Sequence, residues 1–492
     1  MTDLYIGIDL GTSSIKLLLM SENGDIIKSA SESYPIYYPN PIWSEQKPED
    51  WWGAVLDGLR TLLKEVDTRR IKGICVSGQM HGLVALDGRG RVIRPAILWN
   101  DSRSSEETTW LNSNFGKDRI SACTGNIAFA GFTAPKLLWM QRHEPEKFSV
   151  IRYIVLPKDY IIYRMTGVVS TDYSDASGTL LLDVQNKRWS PEMLSVCGLE
   201  KEQLPELHES YDVVGKLFPE IADQFGLSKE CRVVAGAGDN AASAVGTKTV
   251  GENACNISLG TSGTIFISRD EFSADPFHSL HSFAHADGRY HLMACMLSAA
   301  SCNMWWMKNI LKTQRYAEEQ ADIHGLGDNH VFFLPYLMGE RSPINDTAAR
   351  GVFAGLSMDT TRMDMTLAVL EGVAFALRDS MSIAEKLGAR IRRSTVTGGG
   401  AKSQLWKTIL ANVLNIELDY VNTEEGPAYG AAILAAVGCG EYSSVEEAAG
   451  AIVRITGYIT PDRELAEKYD HRYELFTKLY PAMKPIFPAI GQ

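Results

Sequence analysis

The chain has 492 residues, of which 45% are hydrophobic and 22% charged, and its formal net charge is −12. A chain of this length exceeds one ordinary hydrophobic core, so two large domains are expected. Nucleic acid is not an expected partner, because proteins that bind it need a cationic surface that releases phosphate counterions. Small phosphorylated ligands stay possible, since local backbone amides and a metal ion can hold phosphates on an acidic protein.

The sequence carries no sign of export or of a membrane span. Its eight cysteines form no C-x-x-C pair, so small buried thiols in a reducing compartment are expected rather than disulfides or metal ligands. The N-terminus, MTDLYIGIDLG, begins an apolar strand without the basic segment of a signal peptide. We therefore expect a cytoplasmic protein with no membrane partner. The sequence does not fix the oligomeric state, and a homodimer is compatible with it.

Two segments share one pattern and predict a duplication. YIGIDLGTSSIK (5–16) and NISLGTSGTIF (256–266) each run from an apolar strand through Leu-Gly-Thr-Ser into further β-branched and apolar residues. This pattern is typical of a β-hairpin with a tight turn. Because one copy opens each half of the chain, we expect two similar α/β domains, residues 1–246 and 247–492.

Strands and helices alternate in the rest of the chain. IKGICVSG (71–78) and CRVVAGAG (231–238) are predicted to be buried strands, and 49–66 an amphipathic helix. In the second half, 361–388 is predicted to be one long helix that Gly388 ends. The segment 172–183 is interpreted as turn-rich before a short strand, and the chain from about Asp462 as a charged helix.

A carboxylate beside a glycine turn suggests a site for phosphates and metal. Asp9 ends the first strand and precedes Gly11, Thr12 and Ser13. Such a carboxylate can bind a metal ion while the amides and hydroxyls of the turn face phosphate oxygens. The matching turn of the second half could face it across a cleft. The chain contains no G-x-x-x-x-G-K-[ST] loop, which excludes a P-loop enzyme. A plain hairpin turn with a surface aspartate is the alternative.

Asp239 follows a buried strand on the glycine turn GAGDN. A carboxylate fixed near the domain boundary suits a general base in a closing cleft. Gly236, Gly238 and Ala241 also fit the G-x-G-x-x-G/A dinucleotide fingerprint, which stays an alternative. Against it, the charge of Asp239 would face a pyrophosphate at a helix N-terminus, and no clear ribose-binding acid follows about twenty residues later.

Three other segments suggest ligand contacts. His81 stands between Met80 and Gly82 after a buried strand, where a role facing a ligand and a structural role are both open. The segment 99–103, WNDSR, suits sugar hydroxyls and stacking, or a satisfied polar network. The small residues of 398–403 and 426–432 leave room for a phosphate or a flat base, or for close helix–sheet packing.

With these motifs in order, the chain resembles the FGGY carbohydrate kinases over nearly its whole length. The motifs that carry the resemblance are GIDLGTSS, GAGDN, SLGTSG, TGGGAKS and PAYGAA, a first signature over 131–143 and a second over 351–372. The resemblance implies an α/β fold of two duplicated actin-like (ribonuclease H-like) ATPase domains with a catalytic cleft between them. It also implies transfer of a phosphoryl group from ATP, with Mg²⁺, to a small sugar.

The resemblance implies a role for each matching residue. Asp239 would be the catalytic base, the sugar would lie against Met80, His81, Asp239 and Asn240, and Asp9 would organise the metal. The residues that would border ATP are Gly11, Thr12, Ser13, Gly260, Thr261, Ser262, Gly399, Gly400 and Ser403.

The resemblance also bears on the substrate. Within the family, SGQMHGLV and RPAILWNDSR are most similar to members that phosphorylate D-xylulose to D-xylulose 5-phosphate. One alternative is a family kinase for another ketose or polyol, such as ribulose, a deoxyketose or a glycerol-like substrate. An alternative of another class is an ATP-dependent binding module like the chaperones that share the fold.

Overall fold

The computed structural model describes residues 2–423 and 425–490. Met1, Glu424, Gly491 and Gln492 lie outside the described residues. The first residue of the predicted first domain and the last residue of the predicted second domain are among them. Within the described residues, no helix combines the length and the apolar character needed to cross a membrane.

A six-stranded mixed sheet forms the first half of the molecule. In spatial order its strands are Val213–Lys216, Arg232–Gly238, Ile71–Gly78, Leu4–Leu10, Ser14–Ser21 and Ile26–Ser33. The second, third and fourth strands run parallel, and the others pair antiparallel with their neighbours. Helices Pro48–Leu63 and Pro157–Thr166 cover one face and share one apolar core with it.

A seven-stranded sheet repeats this arrangement in the second half. Its strands in order are His281–Ala284, Tyr290–Met296, Gly263–Arg269, Cys255–Leu259, Arg393–Thr397, Glu417–Val421 and Ile455–Ile459. As in the first sheet, a hairpin with a Gly-Thr-Ser turn, formed here by Cys255–Leu259 and Gly263–Arg269, lies beside parallel strands. Arg393–Thr397 and Glu417–Val421 are these parallel strands, and Ile455–Ile459 is an antiparallel edge strand. Helices Arg362–Lys386 and Gln404–Leu414 pack on this sheet, and helix Arg463–Met483 packs against these two helices. The predicted duplication is therefore visible as two similar sheets, called here the first and second lobes.

One helix of the second half packs on the sheet of the first lobe. Helix Gly426–Gly438 lies against strand Leu4–Leu10 and against helix Asp239–Gly246. The approach is very close, because a Cβ atom on Gly7 would lie 1.9 Å from the carbonyl oxygen of Ala428. The small residues of this helix thus allow close packing, which was one of the two interpretations of the segment.

Shorter elements connect the two sheets. The remaining helices are Ser105–Trp110, Lys117–Thr124, Thr133–His143, Pro145–Phe148, Tyr173–Ser177, Pro191–Val196, Pro219–Phe225, Ala300–Trp305, Tyr316–Ala321, Val445–Ile452 and Phe487–Ile490. The short strand pairs are Glu45–Gln46 with Ala96–Ile97, Val84–Leu86 with Tyr153–Val155, Ser170–Asp172 with Glu206–His208, Leu182–Asp183 with Arg188–Trp189, and Phe332–Leu334 with Val352–Ala354.

The ends of the predicted helices have clear local causes. The helix Arg362–Lys386 ends just before Gly388, whose φ is +91°, a conformation that glycine adopts readily. The last long helix begins after Asp462, whose side chain accepts a hydrogen bond from the amide of Leu465 at 2.9 Å. The segment 172–183 differs from its interpretation, because it contains the helix Tyr173–Ser177. Five residues are too few to show a helical period in the sequence.

Candidate active site

Three parallel strands of the first lobe bring Asp9, the predicted metal-binding residue, and Asp239, the predicted base, to one edge of the sheet. Strand pairing sets Asp9 opposite Ser77, and Gly78 opposite Gly238. Because parallel strands end at the same edge of a sheet, the chain that follows each strand enters one crevice. The hydroxyl of Ser77 donates to Asp9 Oδ1 at 3.0 Å, which fixes that carboxylate at the crevice.

Asp239 is the first residue of a helix, and the pKa of its carboxyl group is raised. Its Oδ1 accepts from the backbone amide of Asn240 at 2.7 Å and from the side-chain amide of Asn240 at 3.0 Å. Burial, and then the charge of Asp9, raise the pKa of Asp239 to about 7 in spite of these bonds. Burial also raises the pKa of Asp9 to about 6. A carboxylate with a pKa near the working pH is suited to general-base catalysis.

Two of the predicted sugar-binding side chains lie directly beside this carboxylate. The side-chain amide of Asn240 is 3.9 Å from the sulfur of Met80, which is buried. A Cβ atom on Gly238 would lie 2.9 Å from Met80 Cγ, so the glycine permits this approach. The structure therefore brings together Met80, Asp239 and Asn240.

His81 is held in a defined tautomer next to Met80. Its Nδ1 lies 2.7 Å from the carbonyl oxygen of Gly178. Since a carbonyl only accepts, Nδ1 carries the proton and Nε2 is left as an acceptor. The ring stacks on Phe132 with centroids 4.6 Å apart. Burial lowers the pKa of His81 to about 3, so the imidazole is neutral at physiological pH.

The first signature supports His81 through the backbone. His81 has a φ of +69°, which is uncommon for a residue with a side chain. The buried ammonium of Lys136 donates to the carbonyls of His81 and Gly131, both at 2.7 Å. The hydroxyl of Thr133 donates to the same His81 carbonyl at 3.1 Å. The family resemblance pointed to Lys136 and Thr133 as part of a signature, but it did not show that they hold the backbone of His81.

A buried charged network holds the turn before Asp239, and sequence reasoning missed it. Lys158 pairs with Asp172 at 2.9 Å, and both side chains are fully buried. Ser174 bonds to Asp172 and accepts from the amide of Gly238 at 3.1 Å. The only sequence signal is that charged residues interrupt apolar runs at LPKDYIIY and STDYSDAS.

The first glycine turn is anchored within the first lobe. The hydroxyl of Tyr34 donates to the carbonyl of Gly11. The side-chain amide of Gln46 donates to the carbonyl of Thr12 at 2.7 Å, and the indole of Trp99 donates to the Thr12 hydroxyl at 3.0 Å. The turn of Gly11, Thr12 and Ser13 thus sits in a fixed position one residue beyond the strand that ends at Leu10.

The WNDSR segment divides between two roles. Trp99 is half-exposed and reaches the glycine turn, whereas Asp101 and Arg103 form a buried ion pair at 2.7 Å. The guanidinium of Arg103 also stacks over Trp43, 3.9 Å from the ring centroid. For Asp101 and Arg103 the geometry supports the structural network.

A large cavity lies in the second lobe beside the matching glycine turn. Its volume is about 740 Å³, and it is bordered by backbone, small and apolar residues together with a few polar side chains. Five residues expected to border ATP line it, namely Gly260, Thr261, Gly399, Gly400 and Ser403. Ser262 belongs to the same turn but is exposed and does not line this cavity. This size and lining suit a nucleoside.

A second cavity, of about 410 Å³, lies on the other side of the glycine loop 398–402. Gly399 and Lys402 border both cavities, while Ser243 and Thr247 come from the helix that Asp239 begins and the turn after it. The glycine loop therefore separates the nucleoside-sized cavity from a space that reaches the Asp239 helix.

The donor groups at the crevice fit a hard cation. Asp9 supplies a carboxylate, and the adjacent turn supplies the hydroxyls of Thr12 and Ser13. Oxygen donors of this kind are the ligands that Mg²⁺ prefers.

The dinucleotide alternative finds no support at the GAGDN turn. Gly236 has a φ of +78°, and a Cβ atom there would lie 1.8 Å from the carbonyl oxygen of Val76. The glycine is therefore required by close packing of two strands.

Comparison with known proteins agrees with this geometry. The N-terminal domain model of the FGGY family of carbohydrate kinases matches residues 4–246, and the C-terminal domain model matches residues 255–439. A xylulose kinase of Escherichia coli K12 is 42% identical over 98% of this chain and the full length of that protein. A xylulose kinase of Bacillus subtilis is 36% identical over 99% of this chain and 98% of its own length.

A solved structure extends the likeness to the fold. The crystal structure of a ligand-bound xylulose kinase from Lactobacillus acidophilus has a TM-score of 0.94 at 27% identity and covers 99% of both chains. The expectation of two actin-like domains is thereby confirmed. The chain belongs to the FGGY family of carbohydrate kinases and is a carbohydrate kinase.

Proposed function

We propose that this kinase transfers the γ-phosphoryl group of ATP to D-xylulose, giving D-xylulose 5-phosphate and ADP. The observation that carries the proposal is the placement of Asp239, with its pKa raised to about 7, beside Asn240 and Met80. The similarity to proteins named xylulose kinase over nearly the whole chain supports the choice of sugar.

In the proposed reaction, Asp239 accepts the proton of the terminal hydroxyl of the sugar. The hydroxyl oxygen forms a bond to the γ-phosphorus as the bond between that phosphorus and the bridging oxygen of ADP breaks. The proton on Asp239 then leaves to solvent. Because phosphoryl transfer has a loose transition state, positioning and charge neutralisation supply most of the rate enhancement.

Neutral groups orient the sugar in this proposal. The free Nε2 of His81 accepts a hydrogen bond from one sugar hydroxyl, since its Nδ1 is committed to the carbonyl of Gly178. Asn240 holds the reacting end, because its side chain lies 3.0 Å from the oxygen of Asp239. Met80 supplies an apolar wall between them.

The phosphates and nucleoside of ATP occupy the two glycine turns and the large cavity in this proposal. Asp9 is assigned to Mg²⁺, which would neutralise phosphate charge, and the turn at Gly11, Thr12 and Ser13 borders the γ-phosphate. Gly260, Thr261 and Ser262 border the opposite wall of the cleft, and Gly399, Gly400 and Ser403 border the nucleoside.

We propose residues 1–246 and 247–492 as the two domains of the enzyme. We also propose that the enzyme is cytoplasmic, in keeping with its unpaired cysteines.

A panel of sugars tests the substrate. ADP release would be measured with D-xylulose, D-ribulose, L-ribulose, xylitol and glycerol, with an Asp239→Asn preparation to subtract contaminating kinases. We expect the highest kcat/KM for D-xylulose. A higher value for another sugar would reject the substrate, and ADP release that is equal with and without sugar would favour the chaperone-like alternative.

A further inference from the structure

A loop of the second lobe is anchored beside the sugar site. The backbone amide of Arg341 donates to Oε1 of Glu340 at 2.8 Å, and the same oxygen accepts from the amide of Leu297 at 2.7 Å. The hydroxyl of Ser342 donates to the carbonyl of Ser279 at 2.7 Å. The backbone of Arg341 is therefore fixed on the end of strand Tyr290–Met296.

The neighbouring strand is tied to the first lobe at this place. The amide of Ala284 donates to the hydroxyl of Ser177 at 3.0 Å, and Asn126 exchanges two hydrogen bonds with the backbone of Ser282 at 2.8 and 3.1 Å. These bonds bring strand His281–Ala284 against the segment whose Gly178 holds His81. Second-lobe residues thus form one wall of the sugar site.

The side chain of Arg341 reaches across to first-lobe aromatics. Its guanidinium carbon lies 5.2 Å from the ring centroid of Phe129. The Phe129 ring is 5.5 Å from Phe132, on which His81 stacks. The positive charge of Arg341 contributes to the lowered pKa of both His81 and His281. The cation is therefore close to the predicted sugar-binding histidine.

Within the described ranges, the Arg341 guanidinium pairs with no carboxylate. Its side chain is only partly exposed, whereas the buried guanidinium groups of Arg94, Arg103 and Arg472 each bind an acidic side chain. A guanidinium has five N–H donors, and partly desolvated donors are costly when unmatched. A stack on one phenylalanine ring satisfies none of them. The group is consequently suited to meet an acceptor that arrives with a ligand.

We propose that Arg341 donates a hydrogen bond to the ketone oxygen of the sugar and so selects ketoses over the corresponding polyols. This inference rests on the proposed function. With Asp239 and Asn240 at the reacting end, the contacts run through Met80, the adjacent His81, Phe132 and Phe129 to Arg341 at the other end. A guanidinium only donates and a ketone oxygen only accepts, so the two match. The hydroxyl of a polyol can also accept, but it stands on a tetrahedral carbon and needs an acceptor for its own proton, so it matches the guanidinium less well. Arg341 is thus assigned as a specificity-determining residue supplied by the second lobe.

The test compares a ketose with its reduced forms. Wild type, Arg341→Gln and Arg341→Lys would be assayed for the KM of D-xylulose and of ATP, and for inhibition by xylitol and D-arabinitol, which carry a hydroxyl at the former ketone carbon. Loss of a charge-assisted hydrogen bond predicts a rise in the KM of D-xylulose of roughly 10- to 100-fold in Arg341→Gln. The KM of ATP should change by less than about 3-fold, because ATP has no contact with Arg341 in this proposal. The two inhibition constants should rise by clearly less than the KM of D-xylulose, because a hydroxyl on a tetrahedral carbon is a poorer match for the guanidinium than the ketone oxygen is. Arg341→Lys should retain part of the preference.

A matched control separates this role from a general loss of structure. Arg463 has a side chain 92% exposed on the last long helix, so Arg463→Gln should leave every constant unchanged. An unchanged KM for D-xylulose in Arg341→Gln, with wild type active on that sugar, would overturn the inference and leave the proposed function standing. Equal losses for D-xylulose and both polyols would also overturn it. A wild type inactive on D-xylulose would instead reject the proposed function.

Discussion

The pKa of Asp239, the proposed base, bears on both activity and stability. Burial and the nearby Asp9 raise its pKa to about 7, which makes the ionised form an effective base at neutral pH. The same surroundings oppose the charge that catalysis requires. Two measurements follow from this single property.

The first is the pH dependence of turnover. The base must be ionised, so kcat/KM for D-xylulose should fall about tenfold per pH unit below a pKa near 7. His81 should contribute no second step above pH 5, because its pKa is lowered to about 3. A profile recorded at saturating ATP checks this, and a flat profile from pH 8 to 5.5 would contradict it.

The second is the stability of Asp239→Asn. Between its ordinary value of 3.8 and about 7, the folded state holds a proton that the unfolded state releases, so stability falls as pH rises through this window. Asparagine removes that loss. We expect the variant to be more stable than wild type at pH 8, by on the order of 1 kcal/mol, with a smaller gain at pH 4.5. Denaturant unfolding at both pH values measures this, and a lower stability at pH 8 would contradict it.

Sequence reasoning located side chains that stand at the end of a strand, but it did not find partners that are distant in the chain. Asp9 and Asp239 stand at the ends of buried strands, and adjacent parallel strands bring them to one edge. Lys136 supports His81 across 55 residues. Arg341 approaches Phe129 only because the second lobe packs against the first. No local pattern encodes those contacts.

At the scale of elements, close helix packing depends on glycine. Helix Gly426–Gly438 meets helix Asp239–Gly246 where a Cβ atom on Gly430 would lie 1.8 Å from the carbonyl oxygen of Ala242. The backbones must separate to accept any side chain there. Because the second helix begins with Asp239, such a shift would also move the proposed base.

Gly430→Ala should therefore lower stability by about 1–3 kcal/mol, the usual cost of overpacking. Gly450→Ala is the matched control, since that glycine is in helix Val445–Ile452 with no atom within 4 Å of an added Cβ. The control should be neutral or slightly stabilising through helix propensity. Equal unfolding midpoints for Gly430→Ala and wild type would contradict the packing argument.

The long helices and the two hairpins were predictable from periodicity, whereas the short elements were not. The helix Arg362–Lys386 presents apolar residues over many turns. The helix Tyr173–Ser177 has too few residues for such a pattern, although Asp172 caps it by accepting from the amide of Ser174 at 2.8 Å. This omission was the more consequential one, because Gly178, directly after the helix, holds His81 through its carbonyl.

At the scale of the molecule, the chain forms two similar sheets, one in each half. The sequence indicated the duplication through its repeated Leu-Gly-Thr-Ser turn, and the two strand orders match it. It did not indicate that helix Gly426–Gly438 would pack on the first lobe or that strand His281–Ala284 would bond to Ser177 of the first lobe.

Water in an open cleft would compete with the sugar for the γ-phosphoryl group, so substrate-dependent closure is expected. Small-angle scattering should show a smaller radius of gyration with D-xylulose and a non-hydrolysable ATP analogue together than with either alone. The slowly reacting Asp239→Asn variant with D-xylulose and ATP together is an independent control for the closed state. Identical profiles in all ligand states would contradict closure.

The most direct test of the account is a single-turnover measurement on Asp239→Asn with saturating ATP and D-xylulose. We predict that phosphoryl transfer slows by roughly 10²- to 10⁴-fold because the proton acceptor is lost. D-Xylulose affinity, measured separately by calorimetry, should stay within a few fold of wild type, as the amide keeps the shape of the site. Transfer at a near-normal rate would contradict the assignment of Asp239 as the base.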